Sequence, residues 1–428
     1  MKIVLFEDQR VAELYPVTIG KPAYTISCGS YRLLDLAQEL GDEIHAHVRP
    51  HLAAFRQAEP PPDLSAGGKL SAAMAYVNAR LVPSAEIAKT LRRSIEAGRP
   101  GFVAASEEFR PDAIHGQPPT MADAALAIVP AGSPAPPPNA DAAMLDAWWQ
   151  ALQLPELREP KLPLFDYPHD IIRHHLRILV QNLEHRLTAD GHREVADGVF
   201  LAEGARLGEY VVADTRKGPI VIDERASIGP HGFLSGPIHI GAGARVIEQA
   251  AIKDGVALGH TTKVGGEVEG SIIEPYTNKQ HHGFLGHSYL GSWINLGAGT
   301  CNSDLKNTYG QVNMEYHGRK TPTGMQFVGC IAGDYAKSAI NTGIFTGKTI
   351  GACSMVYGFV TTNVPSFTNY ARLFGQVTEA PVEIMVATQA RMFARRNVEQ
   401  RPCDVQLLHD MYELTRHERQ LAGEPLSL

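Results

Sequence analysis

An aliphatic residue recurs every six positions through the middle of the chain, and this period constrains the fold more than any other feature. Helices repeat at 3.6 residues and strands at two, so a strict six fits neither alone. It fits short strands joined by tight turns, where three flat faces close a coil of about 18 residues and each face points one aliphatic residue inward. The eight uninterrupted positions are Ile222, Ile228, Leu234, Ile240, Val246, Ile252, Leu258 and Val264.

A polar stretch from Asn278 to Asn307 follows this run, and we interpret it as a break in the repeat. It reads NKQHHGFLGHSYLGSWINLGAGTCNSDLKN and contains two adjacent histidines and a Gly-Ala-Gly-Thr turn. Chemistry tends to occur where a scaffold is interrupted, so we expect the functional site here. Other positions in the same step of six are Val195, Leu201, Leu207, Phe284, Leu290, Leu296, Ala332, Ser338, Ile344, Ile350 and Val356.

Short strands and helices alternate in the N-terminal region, which predicts an open α/β sheet over residues 1–165. The run KIVLF, ending at Glu7, is typical of a buried parallel strand with a loop at its carboxyl end. The other predicted elements are helices at Leu33–Leu40 and Ala85–Ala97 and strands at Leu81–Pro83 and Gly101–Ala105.

These patterns divide the chain into four predicted parts. The α/β domain spans 1–165, a linker helix 166–190, the β-helix 191–370 and a helical tail 371–428. Within the first part, Trp148 and Trp149 fall on one helical face, which predicts a helix packed on the sheet. Two proline-rich stretches, Pro60–Pro62 and Pro130–Pro138, are predicted loops.

Composition narrows the classes of partner. The net charge of −7, the pI of about 6.2 and the lack of a basic run argue against nucleic acid. The five cysteines are scattered without a CxxC pair, which indicates neither a zinc cluster nor a disulfide framework and favours a reducing cytoplasm. The N-terminus, MKIVLFEDQR, lacks the long apolar core of a signal peptide or membrane anchor, so we expect no membrane association.

The order of these regions and the central motif resemble the GlmU-related family, in which a sugar nucleotidyltransferase-like domain is fused to a hexapeptide-repeat acyltransferase. The resemblance implies a Rossmann-like N-terminal domain and a left-handed parallel β-helix. It further implies acyl transfer from acetyl-CoA or another acyl-CoA to a sugar phosphate or nucleotide sugar, in a homotrimer and without a metal.

The family carries its general base in an H-x-x-aromatic-aliphatic-G pattern, which here runs from His281 to Gly286. Acyl transfer to an amine needs a group that removes the amine proton, and histidine suits this role near neutral pH. The pattern selects His281 as the base, with His282 as the nearest rival. Phe284 stands where the acetyltransferases have a tyrosine.

The resemblance also suggests the residues that bind the two substrates. Asp304 stands where the family has an asparagine, and Asp334 and Tyr357 stand where it has small residues. These differences suggest an acceptor other than glucosamine 1-phosphate. The suggested acceptor-binding residues are Lys279, His282, Phe284, Asn295, Asp304 and Lys306, and those for coenzyme A are Ala298, Gly299, Asp334, Tyr357 and Arg372.

The N-terminal domain departs further from its family. Nucleotidyltransferases place a glycine-rich, basic loop after the first strand, where backbone N–H groups cradle the triphosphate. Here the first strand is followed by Glu-Asp-Gln-Arg, with no glycine before Gly20. Only Asp8, Arg10 and Lys21 remain as weak candidates for nucleotide binding, with Mg²⁺ needed only if the domain is active. We therefore expect a degenerate nucleotidyltransferase domain.

Three alternatives to the acyltransferase stay open at this point. The chain could be a nucleotidyltransferase whose β-helix only holds a trimer, or a non-catalytic protein that binds a sugar nucleotide. It could also be a metalloenzyme that binds zinc through the histidines near the central stretch. A separate arginine cluster in the tail predicts a solvated helix face, with a ligand phosphate as the lesser alternative. The histidines of the zinc alternative are His239, His260, His281, His282 and His287. The arginines of the tail cluster are Arg391, Arg395, Arg396 and Arg401.

Overall fold

The computed structural model describes residues 1–41, 43–55, 68–106, 108, 123–137, 140–189 and 191–421. The chain forms two compact units. The first comprises residues 1–14, 21–26 and 31–167, and the second comprises 15–20, 27–30 and 168–428. The predicted loop at Pro60–Pro62 lies outside the described residues.

The first unit is a five-stranded sheet with helices, as the sequence predicted. Its sheet has the order β2-β1-β3-β5-β4, in which β1 runs parallel to both β2 and β3 while β5 is antiparallel to β3 and β4. The elements are β1 (Lys2–Phe6), α1 (Leu33–Leu40), β2 (Ile44–His47), β3 (Met74–Asn78), α2 (Ala85–Ala97), β4 (Gly101–Ala104), β5 (Ala124–Val129) and α3 (Ala142–Leu152), with 3₁₀ turns at Gln9–Leu14, Ala23–Thr25 and Pro50–Phe55.

An aromatic cluster fixes α3 on this sheet. Trp149 is 1% exposed, and its ring centroid lies 5.4 Å from that of Phe6 and 4.9 Å from that of Tyr76. The prediction of a helix packed through Trp148 and Trp149 is therefore confirmed. Burying such large rings contributes much of the unit's hydrophobic stabilisation.

The predicted strand at Leu81–Pro83 is wrong, because Leu81 makes only an isolated bridge to Leu164. The strand of the sheet lies earlier, at β3, which ends at Asn78. Its five residues are all buried and carry no alternation, so periodicity alone gave it no strand signal.

The second unit begins with a long helix and continues as a parallel β-helix, followed by three helices. The helices are α4 (Pro168–Arg186), α5 (Val382–Ala394), α6 (Pro402–Leu414) and α7 (Arg416–Leu421), with a 3₁₀ turn at Arg372–Phe374. The strands are β6 (His192–Ala196), β7 (Val199–Ala202), β8 (Arg206–Leu207), β9 (Val212–Asp214), β10 (Ile220–Ile222), β11 (Ser227–Ile228), β12 (Phe233–Ser235), β13 (Ile238–Ile240), β14 (Arg245–Val246), β15 (Ala251–Lys253), β16 (Val256–Leu258), β17 (Lys263–Val264), β18 (Glu267–Glu269), β19 (Ile272–Ile273), β20 (Asn278–Lys279), β21 (Phe284–Gly286), β22 (Tyr289–Leu290), β23 (Asn295–Leu296), β24 (Cys301–Asn302), β25 (Asn313–Tyr316), β26 (Arg319–Pro322), β27 (Cys330–Ala332), β28 (Lys337–Ser338), β29 (Gly343–Ile344), β30 (Lys348–Ile350), β31 (Met355–Val356), β32 (Phe359–Val360), β33 (Thr368–Ala371) and β34 (Gln376–Glu379).

Three stacks of strands form the faces of the coil, and the predicted positions fill its core. One face runs from β6 to β30, a second from β8 to β34, and the third consists of β9-β12-β15-β18-β21 and then β24-β29-β32. All eight aliphatic residues of the uninterrupted run are at most 3% exposed and belong to one buried cluster. The six-residue period therefore predicted the β-helix correctly.

The interpretation of Asn278 to Asn307 as a break in the coil is wrong. Strands β20 to β23 continue the stack in register, and β24 pairs with β29 of a later coil. The phase of six slips because coils shorten: Ile240 pairs with Leu258, 18 positions on, whereas Leu258 pairs with Ile273, only 15 positions on.

This slip changes which residue points into the core of the coil. Leu285 rather than Phe284 points into the core, at 2% exposure. The larger insertion comes after β24, where the antiparallel hairpin β25-β26 leaves the coil before β27 resumes it beside β22.

Within the described part of the chain, no helix combines the length and the apolar character needed to cross a membrane.

Candidate active site

A buried lysine holds the loop that carries the two adjacent histidines. Lys279 is 2% exposed, and its ammonium donates to the carbonyl oxygens of Gly265 at 2.7 Å, His281 at 2.9 Å and Gly283 at 2.6 Å. Three acceptors match the three N–H donors of an ammonium. Burial lowers the pKa of Lys279 to about 8. Lys279 therefore supports the backbone of the loop, and its donors do not face the surrounding solvent.

The Gly-Ala-Gly turn packs directly against this loop. The Gly299 N–H donates to the His282 carbonyl at 3.0 Å. Two glycines make the approach possible: Gly299 has φ +76°, and a Cβ at Gly283 would lie 2.1 Å from the Thr300 carbonyl oxygen. The two halves of the predicted motif thus form one local structure.

A cavity of about 650 Å³ opens beside the loop and the turn. Its wall contains three residues that the sequence selected: His281, Asn295 and Ala298. The His281 side chain is exposed, and among the described residues none makes a hydrogen bond to its ring. An imidazole in this state can accept a proton from a ligand in the cavity.

Four basic side chains also line the cavity, and within the described part of the chain none of its lining residues is acidic. Two come from the coil, where β-sheet register places Lys263, Asn278, Asn295 and Lys337 side by side on neighbouring strands. Strands lie about 4.8 Å apart, so this row spans roughly 14 Å. The four cations are Lys263, Lys337, Arg395 and Arg396.

Burial changes the ionisation of the two lysines. It lowers the pKa of Lys337 to about 8. Burial also lowers the pKa of Lys263, and the positive charges of Arg396, Arg245 and Arg395 lower it further. The cavity is thus a region of concentrated positive potential that suits an anionic ligand.

The two arginines come from the end of α5, where the sequence favoured a solvated face. Arg395 and Arg396 reach the cavity, and Arg396 Nη2 donates to Asn278 Oδ1 at 2.6 Å. The other two arginines of the cluster point elsewhere: Arg391 donates to Thr388, and Arg401 pairs with Asp404 at the start of α6. Sequence reasoning missed Lys263 and Lys337, although their register with Asn278 and Asn295 would have identified them.

The remaining candidates for acceptor binding do not line the cavity. The Asp304 carboxylate accepts a hydrogen bond from His287 Nδ1 at 2.8 Å, so its observed partner is a side chain of the protein. Lys306 donates to the Gln311 carbonyl at 3.2 Å. His282 and Phe284 are likewise outside the cavity wall, although His282 lies in the same loop as His281.

Most of the suggested coenzyme A contacts are also separate from the cavity. Asp334 is 5% exposed and accepts from the Ser292 N–H at 2.7 Å. Tyr357 is exposed immediately after β31, and Arg372 is exposed in a 3₁₀ turn, where it donates to Thr362. Of this set only Ala298 lies in the wall; Gly299 follows it in the turn.

The central histidines have different partners and do not converge. His239 bonds to Asp223 at 2.9 Å, and His287 bonds to Asp304. His260 packs edge-on against Tyr276. Among the residues that the structure describes, no group of three or more His, Cys, Asp or Glu side chains is arranged to hold a metal ion.

In the first unit, the position expected for a nucleotide is filled by ionic contacts within the chain. Strands β2 and β3 flank β1, so the chain order reverses there, and ligands of such sheets bind at the carboxyl ends of the strands at that point. At this point Arg80, which is fully buried, donates to Asp8 at 2.8 and 2.7 Å and to Asp166 at 3.1 Å. Asn78 adds a third bond to Asp8 at 2.8 Å.

These contacts bear on the weak candidates for nucleotide binding. Burial raises the pKa of Asp8, but Arg80 outweighs it and holds the pKa below its ordinary value, so Asp8 is an anion paired with Arg80. Arg10 lies 3.5 Å from Asp166, and the Lys21 carbonyl accepts from Arg49 at 3.2 Å. Arg10 also lies close enough to Asp8 for its positive charge to lower the pKa of that carboxyl further.

Comparison with known proteins agrees with this two-part organisation. Residues 3–190 match the family model of sugar nucleotidyl transferases. A bifunctional sugar-1-phosphate nucleotidylyltransferase/acetyltransferase from Sulfurisphaera tokodaii is 28% identical over 143 residues, and a bifunctional protein GlmU from Acidithiobacillus ferrooxidans is 31% identical over 115 residues. The family match covers less than half of the chain.

The matches to these relatives are partial. They cover 33% of this chain and 36% of the first relative, and 26% of this chain and 24% of the second. Among solved structures, a UDP-N-acetylglucosamine acyltransferase from Francisella novicida is 16% identical, covers 55% of this chain and 79% of its own, and has a TM-score of 0.36. The fold assignment rests on the strand register of this chain itself.

Proposed function

We propose that the chain is an acyl-CoA-dependent N-acyltransferase whose acceptor is an amino sugar that carries a phosphate or a nucleotide. The observation that carries the proposal is the cavity that has His281, Asn295 and Ala298 in one wall. Its four cations and the lack of acidic residues in its described lining suit a phosphorylated ligand. The GlmU-related sequence supports the same chemistry.

In the proposed reaction, the amine nitrogen of the acceptor attacks the thioester carbonyl carbon of the acyl-CoA. A C–N bond forms, the C–S bond breaks, and the coenzyme leaves as a thiol. His281 takes the proton from the amine and returns a proton to the leaving sulfur. The Asn295 side chain orients the sugar, and the Ala298 backbone contacts the acyl-CoA.

The test is to incubate the full-length protein with acetyl-CoA and a panel of amino-sugar phosphates and nucleotide-linked amino sugars, and to follow thiol release. We expect His281→Ala to lower kcat by about 10²- to 10⁴-fold with little change in KM, as removal of a general base does. His282→Ala is the matched control, because this neighbour lies outside the cavity wall and should keep most of the activity.

Several outcomes would contradict parts of the proposal. Undiminished release in His281→Ala would remove His281 from the mechanism, and loss only in His282→Ala would transfer the role to its neighbour. If no acceptor in the panel gives thiol release, the chain is better described as a non-catalytic protein that binds a sugar nucleotide.

The match to sugar nucleotidyl transferases makes nucleotidyl transfer in the first unit a second candidate function. We nevertheless propose that this unit does not turn over a nucleotide, because Arg80 and Asn78 already bind the Asp8 carboxylate. With UTP or dTTP, a sugar 1-phosphate and Mg²⁺, we therefore expect no pyrophosphate release. Release that depends on Mg²⁺ and is lost in Asp8→Asn would establish the second activity.

The homotrimer is a further part of the proposal. Flat coil faces favour side-by-side association, and the third face has exposed apolar side chains at Phe233, Phe345 and Phe359. Light scattering of the purified protein should give about three times the mass of one chain. A monomeric mass at micromolar concentration would contradict it.

A further inference from the structure

Three cations that line the cavity, Lys263, Arg395 and Arg396, form a cluster with Arg245, which lies beside Lys263 on the neighbouring coil. Arg245 and Lys263 are register partners on β14 and β17, and Arg395 and Arg396 lie at the end of α5. The positive charges of all three arginines depress the pKa of Lys263, after the larger effect of its burial. In the described part of the chain, none of these four side chains has an acidic partner.

The helix that supplies two of the cations is held in place on the coil. The Phe393 ring of α5 lies 4.5 Å from the Trp293 ring, and the opposite neighbour of Trp293 is Tyr276, at 4.3 Å and nearly parallel. Phe393 is 5% exposed. The hydrogen bond from Arg396 to Asn278 adds a polar contact between helix and coil. The positions of the arginines are therefore set before any ligand arrives.

A cluster of like charges without an acid is unfavourable in the free protein, because the charges repel one another within a Debye length. Cations at the last turn of a helix gain some stabilisation from its dipole, but Arg245 and Lys263 gain none from α5. Charges of this kind next to a cavity are compensated when an anion binds between them. Two cations on the coil face two on the helix, which suits a ligand with two linked phosphate groups.

We propose that Arg245, Lys263, Arg395 and Arg396 form a binding subsite for a diphosphate group. The subsite serves the acyl transfer proposed above, and its ligand is either the diphosphate of acyl-CoA or that of a nucleotide-linked acceptor. A monophosphate would meet only one pair of cations and would bind more weakly.

Calorimetric titration of the full-length protein with inorganic pyrophosphate tests the subsite at constant pH and salt. We expect the double variant Arg395→Gln/Arg396→Gln to raise the Kd for pyrophosphate by about 10- to 100-fold, because it removes two guanidinium groups that would form charge-assisted hydrogen bonds to the phosphates. Arg391→Gln is the matched control: this arginine is on the same helix, is exposed and lies outside the cavity wall, so its Kd should stay within about twofold. Equal Kd values in the double variant and the control would overturn the subsite.

A second variant on the other element guards against a local effect on α5. Lys263→Gln should weaken pyrophosphate binding in the same direction, and an unchanged Kd would contradict a shared subsite. Titrations with coenzyme A and with UDP then separate the sources. Weakening for coenzyme A alone assigns the diphosphate to the acyl donor, and weakening for UDP alone assigns it to the acceptor.

Binding can be measured without turnover, which separates this proposal from the proposed function. The parent protein should bind pyrophosphate even if thiol release is never observed with any acceptor. If pyrophosphate, coenzyme A and UDP all bind the double variant as tightly as the parent, the subsite fails while the acyltransferase proposal still stands on its own assay.

Discussion

The two units of the chain pair their arginines in opposite ways. In the N-terminal unit, Arg80 is fully buried and its guanidinium is divided between Asp8 and Asp166. In the β-helix unit, Arg395 and Arg396 line a cavity whose described walls contain no acid. Arg80 is thus paired within its own unit, whereas Arg395 and Arg396 have no acidic partner among the described residues.

This difference shows what the pairing of an arginine indicates about its role. A phosphate-binding site must keep positive charge without an internal counter-ion, because the ligand itself supplies the negative charge. An arginine that is saturated by aspartates stabilises the fold instead. An arginine at the edge of a sheet is therefore weak evidence for a phosphate-binding site. Whether that arginine has an acidic partner in the protein is stronger evidence.

The largest expected effect is on the stability of the N-terminal unit. Arg80→Met should destabilise this unit by about 3–5 kcal/mol, because it leaves Asp8 buried without its paired cation and leaves Asp166 with only Arg10, at 3.5 Å. Urea unfolding followed by tryptophan fluorescence measures the change, since Trp148 and Trp149 both lie in this unit.

Arg395→Met is the matched control for the comparison. It removes an arginine without an acidic partner in the described structure, so the unfolding free energy should change by less than about 0.5 kcal/mol. A loss of under 1 kcal/mol in Arg80→Met would break the comparison, because it would mean that the Asp8 site tolerates an unpaired carboxylate and could accept a cation.

An intermediate effect is expected at Lys279, whose ammonium binds three carbonyls around the histidine loop. Lys279→Met should leave these acceptors without a donor, which costs about 1–3 kcal/mol per buried group that stays unsatisfied. Because the loop carries His281, we expect kcat for acyl transfer to fall by roughly tenfold or more while KM changes little.

This kinetic pattern also tests the sequence-based prediction that Lys279 contacts the acceptor. Direct contact would appear as a raised KM for the acceptor with a smaller change in kcat. Lys306→Met provides the control, since Lys306 makes one hydrogen bond to Gln311 and lies outside the cavity. Equal kinetics in the two variants would show that the loop does not depend on Lys279.

The sequence predicted the fold well where the signal is local and repeated. Each aliphatic residue from Ile222 to Val264 reports on its own coil, so eight independent positions agree. The prediction lost its phase after Leu258, where shorter coils move Leu285 instead of Phe284 into the core. In the N-terminal unit, the helices were predicted well, whereas β3, a uniformly buried strand, gave no alternating pattern.

The site was only partly predictable, for a different physical reason. The motif selected His281, Asn295 and Ala298, which share the cavity wall because strand register aligns neighbouring coils. The arginines of α5 depend on long-range packing of Phe393 against Trp293, a contact that no spacing within either segment encodes. For the same reason the pairing of Asp304 with His287 was not foreseen.

The smallest expected effect is a pH dependence of anion binding that is specific to the cavity of the β-helix unit. Burial depresses the pKa of Lys337 from its ordinary value of 10.5 to about 8, so its positive charge is present below pH 8 and is lost as the pH rises through 8. The neighbouring Cys353 thiol does not titrate in this range, because burial raises its pKa. Sulfate keeps a constant charge here, and its Kd should rise roughly three- to tenfold between pH 7 and 9, as expected for the loss of one partly exposed charge contact. Lys337→Met should bind sulfate weakly and with little pH dependence; an unchanged pH profile in this variant would assign the titration to another group and remove Lys337 from the ligand-binding charges.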